Sequence, residues 1–187
     1  MISARVAIWL LVLIAAVVAA IAMLLPPIPQ PQWYHMFADQ RRFLGISNFN
    51  NVVSNFPFAA VGFWGLVFLL HCSCSQDGRP FLDRRERWPY FVVFTGLILT
   101  AAGSSYYHLQ PDNTRLVWDR LPIVIVLMSL LAAIVAERMS LRAGLLLMPL
   151  LLFIGVGSVL QWRASDCAAQ GICAFTPPCN STLSCFC

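Results

Sequence analysis

Lysine is absent from this 187-residue chain, and charge of either sign is scarce. All twelve basic residues are arginine and the acidic residues number eight, so charged residues make up 11% of the sequence. A typical soluble domain carries about a quarter. That shortage excludes an ordinary soluble domain of this length. The net charge of +4 is modest, and no basic run carries interleaved aromatics, which argues against nucleic-acid binding. Histidine is scarce too, with three in all. No G-x-S-x-G elbow, H-E-x-x-H, Walker loop or G-x-G-x-x-G occurs, so the common hydrolase and nucleotide-binding signatures are missing. The seven cysteines include no C-x-x-C pair of zinc-finger spacing, which leaves a structural thiolate zinc site weakly supported.

Apolar sequence is abundant instead. The hydrophobic fraction is 59%, the composition of an integral membrane protein. The expected fold is an all-α, polytopic transmembrane helix bundle of about five spans. Val6–Leu25 is long enough to cross a bilayer after Arg5, as a retained helix or signal anchor occupying residues 1–25; a cleaved signal peptide is the competing reading. Pro26–Gln32 stops it, because each proline lacks a donor and restricts its neighbour. Phe49–Leu70 is the second span, with Pro57 placed to kink it near its start. Trp88–Tyr107, Asp119–Val135 and Leu141–Leu160 follow, with Asp119 able to cap the fourth span and Pro122 in its first turn. Residues 26–163 form one membrane domain on this reading. Residues 164–187 form a Cys-rich tail expected to lack structure.

The polar residues of the spans are the functional candidates, because such groups are expensive to keep in a bilayer. Asn51, Ser54 and Asn55 share one helical face at the start of span two and are expected to point into the bundle. Ser104 and His108, four apart, share a face at the end of span three. Asp119 starts span four. Alternation of direction alone brings these groups to one membrane face. Seven arginines against five favour an N-terminus inside. A His-bound zinc could activate water there, with a carboxylate to move its proton and a hydroxyl beside the oxyanion. A Ser–His–Asp triad on Ser104 and a proton relay through His108 and Asp119 are rival chemistries. The bland role of Asp39 is a salt bridge to Arg41 or Arg42. A metal cluster at His71, Cys72 and Cys74 has too few ligands.

The paired segments ADQRRFLGISNFNNVVSNFPF (Ala38–Phe58) and GSSYYHLQPDNTRLVWDRLP (Gly103–Pro122) resemble the alkaline ceramidase family, particularly its bacterial ceramidase-like members. The resemblance covers about Pro26–Trp162 and implies the first four helices of a seven-helix bundle. It implies that His108 is a zinc ligand and that Ser104 and Asp119 are catalytic. The implied reaction splits the amide of a ceramide-like membrane lipid into a sphingoid base and a fatty acid. Eukaryotic members also bind calcium in a region that here contains Asp39, Asn48 and Asn51, with a thinner acidic pattern and a shorter loop. The family's H-x-x-x-H pair, which supplies the other two zinc ligands, is missing. One zinc ligand of three is therefore present, and the chain as written is expected to be inactive. The Cys- and Pro-enriched tail implies a truncated or frameshifted reading frame; a disulfide-bearing tail is the rival. The remaining alternative is a non-catalytic receptor or lipid-binding protein of the same architecture. A bacterial inner-membrane location is expected.

Overall fold

The structure is a computed structural model that describes residues 4–24, 30–37, 39–74, 81 and 83–169. Among the described residues six α-helices follow in order: α1 (Ala4–Leu24), α2 (Phe49–Val53), α3 (Phe56–Cys74), α4 (Arg87–Leu109), α5 (Asn113–Arg138) and α6 (Leu141–Ala169). Single turns of tighter helix occupy Gln32–His35 and Arg84–Glu86. Among the described residues there is no β-strand, only an isolated bridge between Phe43 and Ile46. The segments Phe49–His71, Arg84–Leu109, Asn113–Arg138 and Leu141–Cys167 are each long and apolar enough to cross a membrane. The architecture is thus the all-α membrane bundle expected from the sequence. Its outward faces keep Trp64, Leu146 and Phe153 exposed, which suits a lipid solvent.

The bundle is built outward from α5, which packs extensively on α4 and α6, while α3 packs on α4. α1 packs lightly on α6. Small residues set the close approaches. A Cβ on Gly144 would lie 2.6 Å from Ala132 O, and one on Gly62 would lie 2.7 Å from Phe94 O. Small-residue contacts of this kind let membrane helices pack backbone to backbone.

Local chemistry fixes the breaks. The second span divides at Ser54–Asn55, and Pro57, the second residue of α3, has no N–H to continue the helical ladder across the break. The expected kink is there. The fourth span corrects the sequence expectation. α5 begins at Asn113, not Asp119, because the Asp112 side chain accepts from Arg115 N–H at 2.7 Å and caps it. Asp119 is therefore not the cap, and Pro122 lies inside the helix rather than in its first turn. Having no N–H, Pro122 leaves the Trp118 carbonyl without its usual partner four residues on. Gly103 of α4 packs against that carbonyl; a Cβ there would collide with Trp118 O and come within 2.9 Å of its carbonyl carbon.

The last helix also differs from expectation. α6 runs past Arg163 to Ala169 and carries the buried residues Asp166 and Cys167. The rest of the tail, with Cys173, Cys179, Cys185 and Cys187, lies outside the described residues, as do the side chains of Cys72 and Cys74.

Candidate polar site at one membrane face

Ser104 and His108 lie one turn apart near the C-terminal end of α4, as their spacing requires. Ser104 is buried, at 7% exposure, in the wall of a cleft of about 290 Å³. The cleft is otherwise lined mainly by apolar groups, including Phe58, Leu97, Ile123 and Leu127. Thr100, one turn deeper, donates its hydroxyl to Gly96 O at 2.8 Å, whereas Ser104 Oγ has no hydrogen-bond partner among the described residues. Asn55 also lines this cleft, and its amide donates to Asn51 O at 2.9 Å.

The imidazole of His108 packs against the Phe37 ring at 4.7 Å and against Tyr107 at 5.1 Å. Its Nδ1 is buried and has no hydrogen-bond partner among the described residues. Its backbone carbonyl accepts from Asn48 Nδ2 at 2.7 Å, which ties the loop before α2 to the end of α4. Asp119 is half-buried on α5, within electrostatic reach of both His108 and Tyr107. Ser104, His108 and Asp119 thus share one end of the bundle, but no hydrogen bond links any two of them. A Ser–His–Asp relay needs such a chain of bonds.

The residues implicated in calcium binding are committed to protein partners. Asp39 Oδ1 accepts from Arg41 Nε at 2.8 Å, and Oδ2 accepts from Asn50 N–H at 2.8 Å. The Arg41 guanidinium and these backbone contacts hold the Asp39 carboxyl below the usual carboxylate range. Asn51 points its amide at Asp39 O, at 3.5 Å. Ser54 is exposed and donates to Asn51 O at 2.9 Å, so it turns back on its own helix rather than into the bundle. One carboxylate already neutralised by arginine does not fit a calcium ion, which prefers six to eight oxygen ligands.

A second polar cluster, absent from the sequence reading, lies beside His108. Asp166 is fully buried, at 0% exposure. It accepts from Asn113 Nδ2 (3.0 and 3.2 Å), from Gln30 N–H (3.0 Å) and from Arg163 Nη1 (3.4 Å). A carboxylate can only accept, so Asn113 turns its NH2 to Asp166 and its carbonyl to His35 Nε2, 2.5 Å away. In a neutral His35 ring, Nε2 therefore carries the proton and Nδ1 accepts from Tyr107 O–H at 2.8 Å. Arg120 adds a further anchor: it stacks on Trp162 at 4.1 Å and donates to Gln30 Oε1 at 3.0 Å. Residues 30–37 are thereby strapped across α4, α5 and α6, and Phe37 is laid over His108.

Those bonds bear on zinc. A catalytic zinc takes about three protein ligands. His108 Nδ1 is free to bind, but both His35 nitrogens are already committed. His71 lies at the far end of α3, its Nδ1 bonded to Val67 O at 2.9 Å. Among the described residues no cluster of three His, Cys, Asp or Glu could hold a metal ion. The residues present do not fit a three-ligand zinc.

Comparison with known proteins returns no match to a family model, a curated protein or a solved structure.

Proposed function

We propose that this membrane protein binds a long-chain lipid amide of the ceramide class. The acyl chain would lie in the cleft between α3, α4 and α5, and the amide end would meet Ser104, His108 and Asp119. The observation that carries this reading is the place of Ser104, a hydroxyl with no partner among the described residues, in the wall of an otherwise mostly apolar cleft. A mostly apolar cavity with a few convergent polar groups is the usual form of a lipid or small-molecule site. The resemblance of Ala38–Phe58 and Gly103–Pro122 to the alkaline ceramidase family supports the same substrate class. Binding is assigned to this chain. Hydrolysis to a sphingoid base and a fatty acid is the second reading, favoured by the buried His108 Nδ1 that has no partner among the described residues, and it would need zinc ligands that this chain's own histidines do not offer. The distribution of arginines favours a cytoplasmic N-terminus, and the resemblance to bacterial members favours a bacterial inner membrane.

The test uses the full chain in nanodiscs, titrated with an N-acyl lipid carrying a fluorescent acyl chain. Saturable binding is expected, weakened about tenfold or more by Ile123→Trp, which fills the cleft. No fatty acid should appear, with or without added zinc. Binding that never saturates, or that ignores Ile123→Trp, would remove the proposal. Zinc-dependent fatty-acid release abolished by His108→Ala would establish the hydrolase instead.

A further inference from the structure

The loop before α2 holds a second site. Phe43 N–H donates to Ile46 O at 3.1 Å and Ile46 N–H to Phe43 O at 2.9 Å, closing a tight turn with Leu44 and Gly45 at its tip. Both tip residues have positive φ, 51° and 81°. This is the type I′ geometry of a two-residue hairpin. Glycine adopts it freely, while a leucine there is sterically strained. Leu44 is nevertheless 80% exposed, and Phe43 beside it is 55% exposed, so packing within the protein does not offset that strain. The turn stands directly before the apolar segment that begins at Phe49 and is long enough to cross a membrane.

Beside the tip is a pocket of about 390 Å³ lined by Arg41, Arg42, Phe43, Phe49 and Asn50. The two phenylalanine rings meet edge to face at 5.0 Å. Each guanidinium is anchored through Nε alone, Arg41 to Asp39 Oδ1 at 2.8 Å and Arg42 to Gly45 O at 3.4 Å. The Nη groups of both have no hydrogen-bond partner among the described residues. Asp39, the carboxylate of this loop, has both oxygens engaged. The pocket is therefore lined by two planar guanidinium forks, that of Arg41 already paired with Asp39 and that of Arg42 without a carboxylate among the described residues, and it carries a single net positive charge. That arrangement matches a phosphate oxygen pair.

We propose that this pocket binds the phosphodiester of an anionic phospholipid, with Leu44 and Phe43 seated among the acyl chains beside it. The exposed apolar tip decides between a lipid phosphate and a free one, because a dissolved anion gives that tip nothing to bury. The site is separate from the Ser104 cleft and needs only that the bundle crosses a membrane.

The test is retention of phosphatidylglycerol against phosphatidylcholine by the full chain. Protein is reconstituted in nanodiscs containing both lipids, transferred to mild detergent, and read by native mass spectrometry. The wild type should retain phosphatidylglycerol preferentially. The double variant Arg41→Gln/Arg42→Gln should lose about tenfold of that preference. Arg41→Lys/Arg42→Lys, which keeps the charge but not the fork, should fall between, and it reads the site even if the glutamine variant fails to fold. Leu44→Gly, compatible with the positive φ, should fold and retain less lipid than wild type. Equal retention of the two lipids by the wild type, or full preference in a folded double variant, would overturn the proposal. Displacement of the bound lipid by inorganic phosphate alone would reassign the pocket to a free anion and overturn it as well.

Discussion

Asp166→Ala should disrupt the protein far more than a change near the end of its last described helix would suggest. The carboxylate has 0% exposure and serves Gln30 N–H, Asn113 Nδ2 and Arg163 at once. A hydrogen bond to a charged group contributes about 1.5–3 kcal/mol, and stripping one partner from a buried ion pair costs about 3–5 kcal/mol. Arg163 is partly exposed and keeps a 2.9 Å bond to Thr114 Oγ1, so its own loss is cushioned. The peptide N–H of Gln30 has no such relief, and the buried Asn113 amide keeps only a long 3.4 Å bond to Gln30 O. The lower end, about 3 kcal/mol, is the resulting expectation for Asp166→Ala. Asp166→Asn, which keeps the shape and one acceptor, should cost about 1–2 kcal/mol. Unfolding in mixed micelles by sodium dodecyl sulfate gives the free energy. Modification of His108 by diethyl pyrocarbonate, read by mass spectrometry, reports the strap, because Phe37 should leave the imidazole once Gln30 is released. In a double-mutant cycle with Asn113→Ala the coupling should be about 2 kcal/mol. A variant within about 0.5 kcal/mol of wild type, or strict additivity with Asn113→Ala, would refute the reasoning.

Gly103→Ala should force α4 away from the Trp118 carbonyl and cost about 2–3 kcal/mol in the same unfolding assay, with no change in lipid headgroup preference. His35→Leu removes the partner of Tyr107 O–H and of the Asn113 carbonyl; a loss of about 2–3 kcal/mol and faster His108 modification should follow. Asp39, with its folded pKa depressed chiefly by Arg41, stabilises the loop at pH values above the ordinary carboxylate range. That stability should be lost as pH falls through the folded value, seen as a shift of the Asn50 amide resonance on acidification and abolished in Asp39→Asn.

The spans were legible because unbroken apolar runs of bilayer length have few other uses. Ser104 and His108 were legible as a pair because four residues make one helical turn. The early start of α5 was hidden by its polar first turns: Asn113, Thr114, Arg115, Asp119 and Arg120 interrupt the apolar pattern, though Pro111–Asp112 is itself a start signal. By sequence Asp166 falls in the tail, because local hydropathy drops after Trp162, yet nothing in that stretch breaks a helix. His35 could not be read from its surroundings at all. Its partners lie 72 and 78 residues away, and only packing of the strap across α4 and α5 joins them. The same bonds that made His35 structural withdraw it from the zinc set.

The most direct measurement is photocrosslinking of the full chain in nanodiscs by a ceramide analogue with a diazirine in its acyl chain, mapped by peptide mass spectrometry. Crosslinks concentrated on the Ser104 cleft, at Leu97, Ser104, Ile123 and Leu127, and competed away by unlabelled ceramide, are the predicted result. Crosslinks spread evenly over lipid-facing residues such as Trp64, Leu146 and Phe153, indifferent to competitor, would contradict it.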